Sequence, residues 1–238
     1  MTARWQYGRV LSSSLNVRKA PSLTAPRWDD IWPINRIALV KPTITGWYET
    51  LYRGEPAFVK AEFIQLLSDP VPERITDRII LLAVPELGRD NPAYFNGYSG
   101  KWCHRFADWL VMHAGIAKDK IPNTGNCGWG IVWFVQHGQF YFKNAAHKRR
   151  MVKAYPEIRT ILPTGITTDE DTYKPIIGDY VYFRWNSAVT SINVSHVGIV
   201  RNIDGEKLTT FEGNVGGKVV SREYTLNDSR INPSEKRA

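Results

Sequence analysis

Short apolar runs separated by turn residues characterise the chain up to about Leu67. The runs cover residues 7–11, 15–18, 37–40, 46–51 and 57–59, and prolines lie between them or at their edges. Runs of this length, bounded by turn residues, are typical of β-strands. The pattern predicts a small β-barrel or sandwich in this part of the chain.

A proline-rich break at residues 68–72 follows the last of these runs. We interpret it as a domain boundary, with one domain over residues 1–69 and a second over residues 70–238. After the break, Ile75, Ile79 and Leu82 recur at helical spacing, and Pro85 is expected to end or kink that helix.

The clearest helical pattern in the chain begins at Cys103. Its apolar positions keep the i, i+3, i+4, i+7 spacing up to a glycine stop at Gly115: Cys103, Phe106, Ala107, Leu110, Val111 and Ala114. A further helix is predicted over about residues 129–137. Residues 141–161 read as mixed helix and loop, and residues 166–174 as a polar loop.

The last part of the chain returns to strand patterns. Apolar runs at residues 179–185, 194–202, 207–212 and 219–224 predict an antiparallel meander, and a loose polar tail follows Asn227. Helices followed by an antiparallel meander indicate the α+β class.

The composition of the chain indicates which classes of binding partner to expect. The chain has 238 residues, is 43% hydrophobic and carries a formal charge of +8. A positive charge of this size favours anionic partners. No nucleic-acid-binding signature accompanies it, and residues 148–150 read as a solvated helix face. No membrane span and no signal peptide is visible.

Cys103 is the candidate nucleophile. A cysteine attacks carbonyl carbon as its thiolate, and the start of a helix stabilises that charge. The unpaired N–H groups of the same helix start can bind an oxyanion. The alternative is a small buried apolar residue. The only other cysteine, Cys127, is expected to be a second, structural free thiol, because two cysteines make no disulfide framework.

His196 and one downstream polar residue, Glu212 or Asn214, complete a candidate triad. His196 lies in an alternating strand, where a lone histidine is commonly structural. Glu212 ends the next strand, and Asn214 is expected to face the same way. A carboxylate or amide there can accept the imidazole N–H and fix its tautomer. The alternative is a plain strand end followed by a turn.

From about residue 71 to residue 226, two thirds of the chain, the sequence resembles the CHAP family of cysteine-dependent amidohydrolases and peptidases, relatives of the papain-like fold. Four segments carry the resemblance in the family's order: residues 100–103 followed by Phe106 and Trp109, residues 175–183, residues 195–200 and residues 211–214. It implies a catalytic domain of helices packed on an antiparallel sheet. It also implies Cys103 as nucleophile, His196 as general base and then acid, Glu212 as the group that orients His196, and Asn214 as a supporting polar residue.

The first 69 residues resemble a bacterial Src-homology-3-like (SH3-like) domain through residues 15–18 with Pro21, residues 46–48 and residues 58–59. This resemblance implies an all-β barrel that binds the cell wall. Together the two resemblances imply an endolysin- or autolysin-like peptidoglycan hydrolase, either an N-acetylmuramoyl-L-alanine amidase or a peptide endopeptidase. Its expected partners are peptidoglycan and anionic wall polymers, its expected location is the wall or the cell exterior, and its expected state is a monomer.

The sequence departs from the family pattern directly after the nucleophile. His104 and Arg105 stand where members commonly have small residues. Trp102 and His104 are therefore candidates for substrate binding, and the alternative for His104 is an exposed helix position. Residues 94–98 carry no acid, so the calcium loop of some members is not expected here. No metal or other cofactor is expected.

Three alternatives stay open at this point. One is a thiol hydrolase of the NlpC type, against which Glu212 argues, because such sites more often use a second histidine as the orienting group. A second is a CHAP amidase for a small soluble amide, which would keep its activity without residues 1–70. The third is a non-catalytic wall-binding or phage structural protein, which would leave Cys103 unreactive toward alkylating agents.

Overall fold

The computed structural model describes residues 5–32, 34–44, 46–52, 55–67, 72–95, 101–141, 149, 153, 174–184, 194–228 and 230–231. These residues include two antiparallel sheets and three α-helices, and residues 149 and 153 are also helical. Most of residues 141–161 and 166–174 and most of the tail after Asn227 lie outside the described residues, so the predictions made for them stay predictions.

The N-terminal part forms one seven-stranded antiparallel sheet in the order β3-β2-β6-β5-β4-β1-β7. Its strands are β1 (Gln6–Val10), β2 (Leu15–Arg18), β3 (Arg27–Trp32), β4 (Ile37–Pro42), β5 (Trp47–Tyr52), β6 (Glu55–Lys60) and β7 (Ile64–Leu66). The five predicted strands are confirmed. Sequence reasoning missed β3, which carries Asp29 and Asp30, and β7, which has three residues.

The expected SH3-like barrel is not shown. β3 and β7 stand at the two ends of the strand order, and no pairing between them occurs among the described residues. Alternating apolar positions predict where strands form. Closure depends instead on the tilt and stagger of the strands, and side-chain periodicity carries no information about either.

Three α-helices follow: α1 (Ile75–Ala83), α2 (Cys103–His113) and α3 (Cys127–Gln136). Pro85 lies in the short 3-10 turn that ends α1, as predicted. α3 begins two residues before the predicted start because the Asn126 side chain accepts a hydrogen bond from the Trp129 N–H and caps the helix.

The C-terminal sheet consists of β8 (Tyr180–Phe183), β9 (His196–Asp204), β10 (Lys207–Val215) and β11 (Lys218–Thr225). Its order, β11-β10-β9-β8, is the predicted antiparallel meander, and α2 packs against β9 and β10. Helices packed on an antiparallel sheet confirm the α+β class. No helix among the described residues has the length and apolar character needed to cross a membrane.

The two parts of the chain share a hydrophobic core. Tyr7, Ile37 and Leu39 of the N-terminal sheet belong to the same buried cluster as the apolar residues of α1 and α2. The division at residues 68–72 stays a prediction, with residues 68–71 outside the described residues.

Arg36 joins the two parts by its guanidinium group. The side chain is buried, and its central carbon lies 4.3 Å from the ring centre of Trp32, 4.6 Å from that of Tyr94 and 5.0 Å from that of Trp109. Tyr94 and Trp109 belong to the C-terminal part. A buried guanidinium among three aromatic rings gains cation–π attraction that water would otherwise screen.

We expect Arg36→Ala to lower the free energy of unfolding by about 2–4 kcal/mol, because it removes these contacts and leaves a buried cavity. Urea denaturation followed by tryptophan fluorescence measures the change. Arg9→Ala is the matched control, because Arg9 is exposed on β1. Equal stability of the two variants, within about 0.5 kcal/mol, would contradict this role of Arg36.

Candidate active site

Cys103 is the first residue of α2, and its side chain is only 6% exposed. The preceding Trp102 provides no side-chain cap. The Phe106 N–H bonds to the Trp102 carbonyl, so the N–H groups of Cys103, His104 and Arg105 precede the first hydrogen bond of the helix. The sulfur therefore lies at the positive end of the α2 dipole, where a thiolate is favoured.

His196 opens β9, opposite Phe183 of β8. Its Nε2 lies 2.8 Å from Oε2 of Glu212, and it also hydrogen bonds with Cys103. Burial disfavours the imidazolium, but the hydrogen bonds with Cys103 and Glu212 outweigh burial and raise the pKa of His196 to about 9. Because Nε2 is taken by Glu212, Nδ1 is the ring nitrogen left for the thiol.

Glu212 lies on β10 with no solvent exposure. Its Oε1 accepts hydrogen bonds from the Thr210 hydroxyl at 2.6 Å and the Tyr224 hydroxyl at 2.7 Å. Burial raises the pKa of Glu212, but the bonds from His196, Thr210 and Tyr224 outweigh it and hold that pKa below its ordinary value. Glu212 is thus an ionised, oriented partner for His196.

Cys127 also contacts the candidate nucleophile. The Sγ atoms of Cys103 and Cys127 are 3.7 Å apart, and both thiols are free. The hydrogen bond from Cys127 lowers the pKa of Cys103, burial opposes this, and His196 lowers it further. Both shifts favour a Cys103 thiolate beside a His196 imidazolium.

The structure brings together three of the residues proposed from sequence, Cys103, His196 and Glu212. Gly198 makes room for this arrangement, because a Cβ atom there would lie 2.8 Å from Cγ of Glu212. Gly213 likewise lets β10 approach α2, since its Cβ would lie 2.5 Å from Cβ of Phe106. Close packing at the site therefore requires the glycine of segment 195–200 and the glycine of segment 211–214.

Asn214 lies within β10, but its backbone departs from regular strand geometry. The pairing of β10 with β11 shifts register between Glu212 and Val215, and Asn214 has a φ of 64°. The expectation that Asn214 faces the same way as Glu212 assumed regular alternation, which this bulge interrupts. Its supporting role stays a prediction.

The alternative that His104 is an exposed helix position is wrong. Its side chain is fully buried, with Nδ1 3.2 Å from Oδ2 of Asp108 and Nε2 2.9 Å from the Tyr182 hydroxyl. Trp102 is also buried and stacks on Phe95 at a centroid distance of 5.3 Å. Substrate binding by Trp102 and His104 stays a prediction, and direct contact would require these side chains to become exposed.

Sequence reasoning missed a buried polar network beside the nucleophile. Asp108 accepts hydrogen bonds from the Tyr180 hydroxyl at 2.9 Å and the Thr124 N–H at 2.8 Å, in addition to its contact with His104. The i, i+4 spacing of His104 and Asp108 was the available signal. The network ties α2 to β8, the strand that pairs with His196.

No metal centre adjoins the described site. Among the residues that the structure describes, no three His, Cys, Asp or Glu side chains are arranged to hold a metal ion.

A family model described as the CHAP domain matches residues 93–214, just over half of the chain. The chain belongs to the CHAP family. CHAP members are cysteine-dependent hydrolases, and the family acts on peptidoglycan. The matched segment contains Cys103, His196 and Glu212. No curated protein is significantly similar to the chain.

Solved structures with detectable similarity include an NlpC/P60 family protein from Bacillus cereus, with 13% identity and a TM-score of 0.41. That alignment covers 93% of this chain and 59% of the other, so the chain spans less than two thirds of that protein's length. NlpC2 from Trichomonas vaginalis has 15% identity and a TM-score of 0.34, with 94% of this chain and 69% of the other covered. The family assignment rests on the CHAP match alone.

The charge state of the pair predicts an unusual pH dependence for Cys103. At pH values below its pKa of about 8.5, an ordinary thiol reacts with iodoacetamide about tenfold faster for each unit by which the pH rises. Because the pKa of Cys103 is lowered, we expect its alkylation rate to stay nearly flat from about pH 6 to 8. The rate should fall only in more acidic solution, where the thiolate is protonated.

Timed alkylation followed by mass spectrometry of the Cys103 peptide measures this profile. His196→Ala is the comparison variant, and its rate should depend more steeply on pH over the same range, because His196 no longer adds to the hydrogen bond from Cys127 in favouring the thiolate against burial. A wild-type rate that climbs about tenfold per unit between pH 6 and 8 would contradict a resting ion pair.

Proposed function

We propose that this protein is a peptidoglycan hydrolase that cleaves an amide bond of the bacterial cell wall, with Cys103 as nucleophile, His196 as general base and acid, and Glu212 as the residue that positions His196. The observation that carries the proposal is the contact of these three side chains, with the thiol at an uncapped helix start. A nucleophile, a base and an orienting group in hydrogen-bonded sequence are the parts that acyl transfer requires.

The first step is attack on the amide carbonyl. The Cys103 thiolate adds to the carbonyl carbon, and the carbonyl oxygen becomes an oxyanion. The N–H groups in the first turn of α2 are preorganised donors available for that charge, since Trp102 supplies no side-chain cap. A hydrogen bond aimed at the developing charge stabilises the transition state more than the substrate.

The second step needs a proton on the leaving amine. His196 supplies it, and its raised pKa of about 9 means that it carries this proton at neutral pH. Glu212 holds the ring in place and stabilises its positive charge. Neutral His196 then takes a proton from water, and the resulting hydroxide releases the acyl group from Cys103.

The amide is either the sugar–peptide bond, which makes the protein an amidase, or a peptide bond of the stem or bridge, which makes it an endopeptidase. The formal charge of +8 supports attraction to anionic wall polymers, an attraction that salt weakens. We further propose that the N-terminal sheet binds the wall, that the protein works as a monomer in the manner of an endolysin or autolysin, and that it acts at the wall or outside the cell.

We expect purified peptidoglycan to release free amines with the wild-type protein and none with Cys103→Ala, because the variant lacks the nucleophile. The assay quantifies amines and reducing sugars together, and mass spectrometry of the fragments identifies the bond. Cys103→Ser, which keeps the size of the side chain, should also lose at least about 10³-fold in rate, because the hydroxyl is not ionised at neutral pH.

Sedimentation with walls is the accompanying control. Both variants should bind walls as the wild type does. Wild-type protein that sediments with walls of several types but releases no amine from any of them would overturn the proposal and favour a wall-binding protein. Release of reducing sugar without amine would indicate a glycosidase instead.

Glu212→Gln tests the orienting role. The two hydroxyls that donate to Oε1 favour the amide oxygen at that position, which turns the amide NH₂ toward Nε2 of His196. The ring then carries its proton on Nδ1, the nitrogen left for Cys103, and it cannot accept one there. We expect kcat/KM to fall by about 10³–10⁴-fold.

Glu223→Gln is the matched control, because Glu223 is an exposed carboxylate of β11 whose partner is Lys207. It should keep wild-type activity. Glu212→Gln should also lower the pH above which hydrolysis declines from about 9, because the imidazolium loses its anionic partner. An unchanged upper pH limit would show that Glu212 does not act on His196.

A further inference from the structure

Cys127 has no part in the steps above, although its position relative to Cys103 is specific. Each cysteine is the first residue of a helix, Cys103 of α2 and Cys127 of α3. Cys103 is 6% exposed and Cys127 is 7% exposed, and their sulfurs are 3.7 Å apart. Two thiols separated by 23 intervening residues are thus in contact, and both are buried.

The two thiols differ in charge. The hydrogen bond between them lowers the pKa of Cys103 and raises that of Cys127, so the pair holds one thiolate and one proton-bearing thiol. Peroxides oxidise the thiolate form of a cysteine, and a neighbouring thiol can then displace the oxidised group. Cys103 therefore has the properties of the attacking thiol, and Cys127 those of the resolving thiol.

The separation is within reach of bond formation. A disulfide has an S–S length of about 2.0 Å, so the sulfurs at 3.7 Å must approach by about 1.7 Å. No other cysteine occurs in the chain, so neither thiol has a competing intramolecular partner.

We propose that Cys103 and Cys127 form a reversible disulfide when a peroxide oxidises the nucleophile, and that this disulfide switches the enzyme off. The Cys103 thiolate attacks a peroxide oxygen, the O–O bond breaks, and Cys103 becomes a sulfenic acid while hydroxide or alkoxide leaves. The Cys127 sulfur then attacks Sγ of Cys103. The S–O bond breaks, and the hydroxyl leaves as water with the Cys127 proton.

Two electrons pass from the sulfurs to the peroxide, and a dithiol reductant restores both thiols by exchange. The loss of hydrolysis rests on the proposed function, whereas formation of the disulfide does not. A chain in which the bond has formed has no thiolate to attack a carbonyl or an alkylating agent.

The test treats the full-length chain with hydrogen peroxide, blocks remaining thiols under denaturing conditions and digests it with trypsin without reduction. The expected product joins peptide 102–105 to peptide 121–143, with a mass about 2 Da below the sum of the two free peptides. Alkylation of Cys103 should disappear as this product forms and return after dithiothreitol.

Cys127→Ser is the matched variant, because its hydroxyl keeps a hydrogen-bond donor but cannot form a disulfide. Its Cys103 should proceed to the irreversible sulfinic acid. For each protein, the Cys103 alkylation that dithiothreitol restores is expressed as a fraction of the alkylation before oxidation. This fraction should be at least about threefold larger for the wild type than for Cys127→Ser.

Wild-type protein that gains oxygen on Cys103 without the cross-linked peptide would overturn the proposal, as would equal recovery by the two proteins. These readouts need no wall substrate. If the disulfide forms but the reduced protein releases no amine from peptidoglycan, the proposed function fails and the thiol pair stands.

Discussion

The carboxylate of Glu212 lies in the C-terminal sheet without solvent contact, and the surrounding side chains supply its hydrogen bonds. An unpaired charge at such depth would cost several kcal/mol. Glu212 avoids that cost by accepting from its own strand through Thr210, from β11 through Tyr224 and from β9 through His196. Gly198, having no side chain, leaves the space that Glu212 occupies. Pairing this one buried charge therefore links side chains of β9, β10 and β11 at one point and holds the imidazole of His196 against Glu212.

A second buried network holds α2, the helix that carries the candidate nucleophile. Asp108 and His104 lie one turn apart on α2 and connect to Tyr180 and Tyr182 on β8. Because β8 pairs with β9, and Phe183 stands opposite His196, these bonds link the start of α2 to the strand that carries His196. Satisfied polar networks of this kind restrict a core to one arrangement, at the cost of severe destabilisation when a single member is lost.

Sequence patterns predicted the elements and the three residues of the site better than they predicted the contacts between elements. Strand alternation located β9 and β10, and helical periodicity placed Cys103 at the start of α2. The same periodicity predicts an exposed side for α2, but every residue of that helix except Arg105 is buried, which is why the alternative of an exposed His104 is wrong. The proximity of Cys127 depends on how two helix starts pack together, and spacing along the chain carries no information about that. The barrel that the sequence predicts and the structure does not show has the same origin, because closure is a relation between strands that are distant in sequence.

The burial of Arg36 restricts where this chain can be truncated or recombined with a related chain. A recombination joint at residues 68–72 would look suitable from composition alone, yet it would separate Arg36 from Tyr94 and Trp109 and expose the apolar surface that Tyr7, Ile37 and Leu39 cover. Loss of activity in a truncated chain would therefore not distinguish damage to the shared core from loss of the proposed wall-binding sheet. Exchange of the N-terminal sheet between relatives would succeed only where the donor sheet brings an equivalent cation to the same aromatic rings.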